Sequence, residues 1–449
     1  MADCCHEYTR SKAVRHAIAE AGKGLPAIEP GMPLPAGTGL SRRSFLFRSA
    51  GLALAVYGAR HLDPLAVEEA FAQNTDGRVL VSVYCEGGLD GLSVLSPVGD
   101  PRYTALRPTL GLTPDLGTPF AEDDRLQWHP AAEAFATLHS EGKLTVFPAI
   151  GYSGPNQSHF TSRHFWEVGG LDTRERTGWL GRYLDLHGSP DNPLQGLSLT
   201  NLLMPALASS SVPVCSVLAA HDYSLPVNGL AGPIKTSIYD AYAGLGEGPV
   251  DSVAMDQART AARRTAGTHG QLAGFTEMSS PVPYPSDPLA VKLAGLAGMI
   301  EAGLPLRCVS LQGTAGYDTH AGQAKSFGPS FRAVADSLLA FQRDLEARGL
   351  ADRVLVQVWS EFGRRPMENG SGGTDHGAGG VAFVIGNAAG GTMVGEFPGL
   401  AQLDELSNLR STSDFRGLYC ALLEQWLGVD AGPIIPDAGS VERPQLLKA

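Results

Sequence analysis

Charge is scarce in this chain. Only 18% of its 449 residues are Asp, Glu, Lys or Arg, against about 25% in ordinary globular domains, and no block of Lys and Arg stands out. The formal net charge is −12. A nucleic-acid binder needs clustered cations to displace counterions, so the balance argues against nucleic acid as a partner. Six cysteines in a chain of this length exclude a small disulfide scaffold. Gly and Pro together reach about 19%, short of the roughly 25–30% that marks low-complexity disorder. No P-loop, H-E-x-x-H, EF-hand loop or G-x-G-x-x-G occurs, which disfavours a nucleotide-binding enzyme. The nearest approach to a G-x-S-x-G elbow, Gly151-Tyr152-Ser153-Gly154-Pro155, fails at its last position. No apolar run reaches the roughly 20 residues of a membrane span. What is present is 43% hydrophobic residues, enough for a large globular core. A length near 450 permits two or three domains, although α/β enzymes often run longer as one unit.

The first stretch reads as an address. Ser41-Arg42-Arg43-Ser44-Phe45-Leu46 fills every position of a twin-arginine motif, and an apolar run from Ala50 to Ala59 follows. Ala70-Phe71-Ala72 is a small-x-small cleavage site, which starts the mature chain at Gln73. The order of parts looks like a bacterial Tat signal, so residues 1–72 are set aside and a periplasmic or secreted location is expected. The Tat export machinery is then one partner. The mature chain, 73–449, is expected to be soluble, with no stable membrane anchor. Cys85, Cys215, Cys308 and Cys420 remain, too widely spaced for a cysteine zinc site. Both disulfide pairing and four single buried thiols are open.

Five short apolar runs read as buried strands: Val79–Tyr84, Leu144–Ile150, Leu306–Leu311, Val354–Trp359 and Val381–Ile385. Nearly continuous Val, Leu and Ile is the habit of parallel sheets covered on both faces. Helices alternate with them. Pro130–Glu141 opens on Pro and stops at Gly142. Ser330–Arg348 carries Phe331, Val334, Leu338, Phe341 and Leu345 on one stripe. Asp414 caps a last helix. The alternation predicts an α/β sandwich with a mainly parallel sheet. Between about 200 and 288 the pattern weakens, and a loop-rich insertion, with a helix near Ser252–Gly270, is expected there.

Each strand lies beside acidic, His or Gly-rich sequence. Glu86-Gly87-Gly88-Leu89-Asp90-Gly91 follows the first, and Asn156-Gln157-Ser158-His159-Phe160 the second. Gly316-Tyr317-Asp318-Thr319-His320 follows the third, and Ser360-Glu361-Phe362-Gly363-Arg364 the fourth. Gly373-Thr374-Asp375-His376-Gly377 precedes the fifth. In a parallel sheet these segments converge on one edge, the usual site. Carboxylates with imidazoles suit zinc, manganese, magnesium or calcium. Each residue taken singly also has a plainer role: Asp318 in an Asx-turn, Asp375 capping a local turn, Ser158 as a helix N-cap.

These motifs, with Trp166-Glu167 and Gly178-Trp179-Leu180-Gly181-Arg182, make the chain resemble the secreted bacterial family called domain of unknown function 1501. That family is similar to the alkaline phosphatase and sulfatase superfamily. The resemblance implies a three-layer α/β/α sandwich and a metal-dependent site for phosphate or sulfate esters. It places Asp90 at the metal-bridging aspartate, Ser158 at the nucleophile, and Asp318, His320 and His376 among the metal ligands. Glu361, a further metal ligand on this reading, falls where an Asp-His doublet would stand, and Phe362 occupies the place of that doublet's His, so one metal site is expected rather than two. Arg364, or Arg163, would grip an oxyanion, and His159 or His164 would serve as acid. The implied substrate is an anionic ester or polymer. The alternative is a non-catalytic relative acting as an extracytoplasmic binding or surface-assembly protein.

Overall fold

In a computed structural model of the chain, residues 32–37, 55–57, 77–190, 192–200, 202–217 and 280–448 are described, with a few isolated positions between 237 and 259. The twin-arginine motif, the cleavage site and the helix expected near 252–270 lie outside them, apart from Ala55–Tyr57, within the apolar run, and two of the isolated positions.

The strand Val79–Tyr84 shows how the layers arise. Successive side chains of a strand point to opposite faces. Val79, Val81 and Val83 enter one core, and Leu80 and Tyr84 enter another. With no polar face, the strand is stable only when helices cover both sides. The main sheet contains Ala55–Tyr57 (β1), Val79–Tyr84 (β2), Leu144–Gly151 (β3), Gly196–Ser198 (β4), Val214–Ser216 (β5), Cys308–Gln312 (β6) and Val354–Trp359 (β7). A hairpin of Arg364–Glu368 (β8) and Thr374–His376 (β9) stands apart from it, before Gly380–Ile385 (β10) and Ser413–Asp414 (β11) rejoin the sheet. Strand order is β1-β5-β4-β6-β2-β7-β10-β3-β11.

Helices Glu133–Ser140 (α1), Pro288–Glu301 (α4) and Gln323–Ala347 (α5) pack on one face through Phe135, Leu293, Phe331 and Leu338. His159–Val168 (α2), Trp179–His187 (α3) and Phe415–Ala421 (α6) pack on the other through Trp166, Trp179 and Tyr419. The architecture is therefore a three-layer α/β/α sandwich. Asp414 caps α6 by accepting from the Arg416 N–H, as its sequence position suggests.

Two features differ from the sequence reading. The stretch 200–288 is not wholly an insertion, because β5 within it pairs parallel with β4 in the main sheet. Three residues of Val-Cys-Ser are too short to stand out as a run. The strand β10 is antiparallel to both neighbours, β7 and β3. Only about 20 residues and no helix separate β7 from β10, and a parallel return needs a crossover. The reversal matters for the site. It brings the residues before β10 to the same edge as the carboxyl ends of β2, β3, β6 and β7.

Candidate metal centre

At that edge three imidazoles aim their Nε2 atoms at one carboxylate oxygen. His159 is the first residue of α2, whose start is set by the Ser158 hydroxyl accepting from the Thr161 N–H at 3.4 Å. Asp318 and His320 lie between β6 and α5, and His376 ends β9 opposite Arg364 of β8. The Asp318 Oδ1 atom is 3.5, 3.1 and 3.4 Å from the Nε2 atoms of His159, His320 and His376. The His320 and His376 Nε2 atoms are 3.0 Å apart. His159, Asp318 and His376 each offer a ligand atom within 4.8 Å of the others, and His320 adjoins them.

The opposite ring nitrogens decide the tautomers. His159 Nδ1 lies 2.7 Å from Glu361 Oε1, His320 Nδ1 lies 3.0 Å from Asp375 Oδ1, and His376 Nδ1 lies 2.7 Å from the Gln157 carbonyl. Carbonyls and ionised carboxylates only accept, so each Nδ1 carries the donated proton. With Nδ1 so engaged, each ring turns its Nε2 toward the cluster. The three Nε2 atoms converge on the Asp318 oxygen, an arrangement that bound protons or a metal ion would stabilise. Four ligands about 2.1 Å from a tetrahedral ion lie about 3.4 Å from one another. The observed separations of 3.0 to 3.5 Å match that spacing. The donor set fits a single divalent cation such as zinc, whose His ligands characteristically donate their other nitrogen to a carboxylate or carbonyl.

The surroundings hold these groups in place. Glu361 is fully buried and accepts from the Gly87 N–H, the Ser360 hydroxyl and His159. Burial alone would raise its carboxyl, but the bond and charge of His159 and the Ser360 bond overcome that and hold it at about 2. Burial likewise raises Asp318, and bonds from the three imidazoles together with the Arg364 charge bring it well below the carboxylate range. The imidazole contributions exist only when Nε2 is protonated. The Arg364 contact, 2.6 Å from Nη2 to Asp318 Oδ1, is present in every state. Gly87 permits the closeness: its φ is +118°, and a Cβ there would sit 2.4 Å from the Asp318 nitrogen.

A family model described as a protein of unknown function, DUF1501, matches residues 170–419. The chain belongs to this family. The matched span holds Asp318, His320, Glu361, Arg364 and His376, while His159 lies just before it. No curated protein matches the sequence. Solved structures similar to this DUF1501 chain include a protein in the alkaline phosphatase superfamily from Vibrio parahaemolyticus, at 9% identity and TM-score 0.35, covering 95% of this chain and 78% of that one. The lipoteichoic acid synthase LtaP of Listeria monocytogenes is similar at 8% identity and TM-score 0.33, covering 83% and 81%. The PsFucS1 sulfatase of a Pseudoalteromonas species is similar at 11% and 0.35, covering 84% and 75%.

Within the DUF1501 chain, the structure gathers Asp318, His320 and His376 as the sequence suggests. It moves other residues to new roles. His159, expected as an acid, aims its Nε2 at Asp318 and offers a ligand atom to the cluster. Glu361, expected as a ligand, supports His159 instead, because the His159 ring stands between it and the cluster. Asp90 is not with the others. Both its oxygens are taken by the buried Arg107 guanidinium at 2.5 and 2.9 Å, and Ser93 and Gln323 bond it as well. Arg364 cannot grip an oxyanion as expected, since its donors go to the Gly87, Gly88 and Thr374 carbonyls and to Asp318. Arg163 is paired with Glu167 and stacked over Tyr84. His164 contacts the Asp172 carbonyl, and burial pushes it down to about 4. Phe362 packs against the His159 and His376 rings at 4.9 and 4.8 Å. Among the described residues no second metal-ligating group occurs. Cys85, Cys215, Cys308 and Cys420 are free and buried.

Asp375 and Gln323 escaped the sequence reading. Asp375 sits beside His376 in the same motif and passes for a turn cap. Gln323 carries no motif, yet its amide accepts from Thr319 and Thr374 hydroxyls at 2.8 and 2.6 Å and donates to Asp90 and Ser93. It ties together the two loops that bear the ligands.

Proposed function

We propose that this protein is an exported, single-metal hydrolase of phosphate or sulfate esters. The observation that carries the reading is the convergence of three imidazole Nε2 atoms on Asp318 Oδ1, each ring braced from behind through Nδ1. The cation would be held by His159, His320, His376 and Asp318. When bound, it would supply Lewis-acid charge neutralisation to the transferred group. Asp375, Glu361 and the Gln157 carbonyl orient the three rings, and Arg364 holds Asp318 against them. Ser158, the N-cap of α2, is the proposed nucleophile, set at the positive end of the helix dipole, which favours an anion. The twin-arginine sequence supports export. Among the described residues no helix is long and apolar enough to cross a membrane.

The commitment of both Arg364 and Arg163 to internal partners favours the second reading, a non-catalytic binding protein, because neither is left to stabilise a transferring group. Hydrolysis of p-nitrophenyl phosphate and p-nitrophenyl sulfate separates the two. The hydrolase reading expects turnover that is lost in Asp318→Ala and in Ser158→Ala. Turnover absent from metal-loaded wild-type protein on both esters and on sulfated polymers would favour the binding protein.

A further inference from the structure

A cleft of about 420 Å³ opens at the carboxyl end of β3, lined in part by Ser153, Ala378, Arg410, Ser411 and Ser413. It adjoins the metal centre through the chain itself. Ala378 is two residues from His376, so their Cα atoms lie within about 7 Å. Gln157 links the segment before α2 to the His376 carbonyl and to Asn408 Oδ1, at 3.0 and 2.9 Å, beside the lining residues Ala378 and Leu409. Tyr152 to Pro155 of the broken elbow form part of the wall of this cleft.

Most polar groups around the cleft are spent on the fold. Asp404 accepts from the Leu406 and Asn408 N–H groups and from the Asn408 amide. Asp414 pairs with Arg416, and the Thr412 hydroxyl donates to the Glu396 carbonyl. Four groups are not spent. The hydroxyls of Ser153, Ser411 and Ser413 have no hydrogen-bond partner among the described residues. Arg410 uses only Nε, toward the Leu403 carbonyl at 3.2 Å, leaving its two terminal nitrogens available. With both nearby carboxylates engaged by donors of the fold, the cleft lining includes a guanidinium with two terminal nitrogens available and three serine hydroxyls that can each donate and accept.

We infer that this cleft binds a sugar or similar polyol carrying an anionic ester, with Arg410 on the ester oxygens and the three serines on ring hydroxyls. A guanidinium fork matches an oxyanion bidentately, and a cleft of this volume holds a small ligand rather than a polymer. The inference rests on the reading of the neighbouring centre as an ester hydrolase, and it names that hydrolase's substrate class. Sulfate and phosphate esters share the chemistry that Arg410 would recognise.

Calorimetric titration of the mature protein with glucose 6-sulfate, glucose 6-phosphate and glucose tests it. At least one anionic sugar is expected to bind at least tenfold more tightly than glucose, the sulfate and phosphate arms reporting which ester is preferred. Arg410→Ala should lose about tenfold or more of that affinity, while Ser411→Ala weakens glucose and its esters alike. Wild-type protein that binds none of the three, or anionic binding indifferent to Arg410→Ala, overturns the inference. Arg410 is exposed, so folding of the variant is checked by an unchanged melting temperature. Metal content is measured on the same samples. Arg410-dependent binding to metal-free wild-type protein would remove the metal reading alone. Full metal content with binding indifferent to Arg410 would remove the cleft alone.

Discussion

The residues that matter most here are those that stand behind the ligands. Glu361 is a fully buried carboxylate whose cost is offset by the Gly87 N–H, Ser360 and the His159 ring it orients. Glu361→Gln keeps an acceptor for His159 but removes the charge. Metal affinity, read by competition with a chelator, should fall about 10- to 100-fold; an unchanged affinity would show that Glu361 supports only the loop. Asp90 presents the opposite case, a carboxylate that looks like a ligand and is a structural partner. Asp90→Asn leaves Arg107 buried and unpaired, which should cost about 3–5 kcal/mol in urea unfolding. Burial raises the Asp90 carboxyl, yet the Arg107 charge and the bonds of Arg107, Ser93 and Gln323 bring it net below its ordinary value. A depressed folded value means that its contribution is complete above the unfolded value near about pH 4 and is lost as pH falls further. The stability gap between wild type and Asp90→Asn should therefore narrow on acidification below about pH 4.

At the scale of elements, the centre depends on turns meeting across the sheet edge. Gly87 lets the β2 turn lie against the β6 turn, and Gly87→Ala sets a methyl group 2.4 Å from the Asp318 nitrogen at a φ of +118°. The variant should lose about 1–3 kcal/mol of stability and release metal more readily, both measurable by thermal unfolding with and without a chelator. Wild-type metal retention in this variant would show that the turn contact does not position Asp318. Much of this layer was legible beforehand. Val79–Tyr84 and Val354–Trp359 emerge with the bounds their apolar runs suggest, and Asp318, His320 and His376 meet as their strand-edge positions imply. The role of Asp90 was not legible, because Arg107, just after the short helix Tyr103–Leu106, belongs to no motif and reaches it only in the folded chain. The exchange of roles between His159 and Glu361 was hidden for a similar reason. A sequence shows which strand end carries a group, but not which of two adjacent groups stands nearer the centre. β5 was missed because three residues cannot display a period.

Across the whole molecule, the antiparallel insertion of β10 among parallel neighbours joins fold to function. It carries Asp375 and His376 to the edge where His159, Asp318 and His320 already lie, from segments more than 200 residues apart. The three layers supply rigidity around an open edge: Asp318 and His320 remain about a quarter exposed while His159 and His376 are buried. The account stands on the statement that these four residues hold one metal ion. Metal analysis by plasma mass spectrometry, on the full chain expressed in a bacterial host and purified without chelators, tests it most directly. One divalent ion per chain is expected in the wild type, with near-complete loss in His376→Ala and in His159→Ala although both variants stay folded. Metal-free wild-type protein, or variants that keep their full complement, would contradict it.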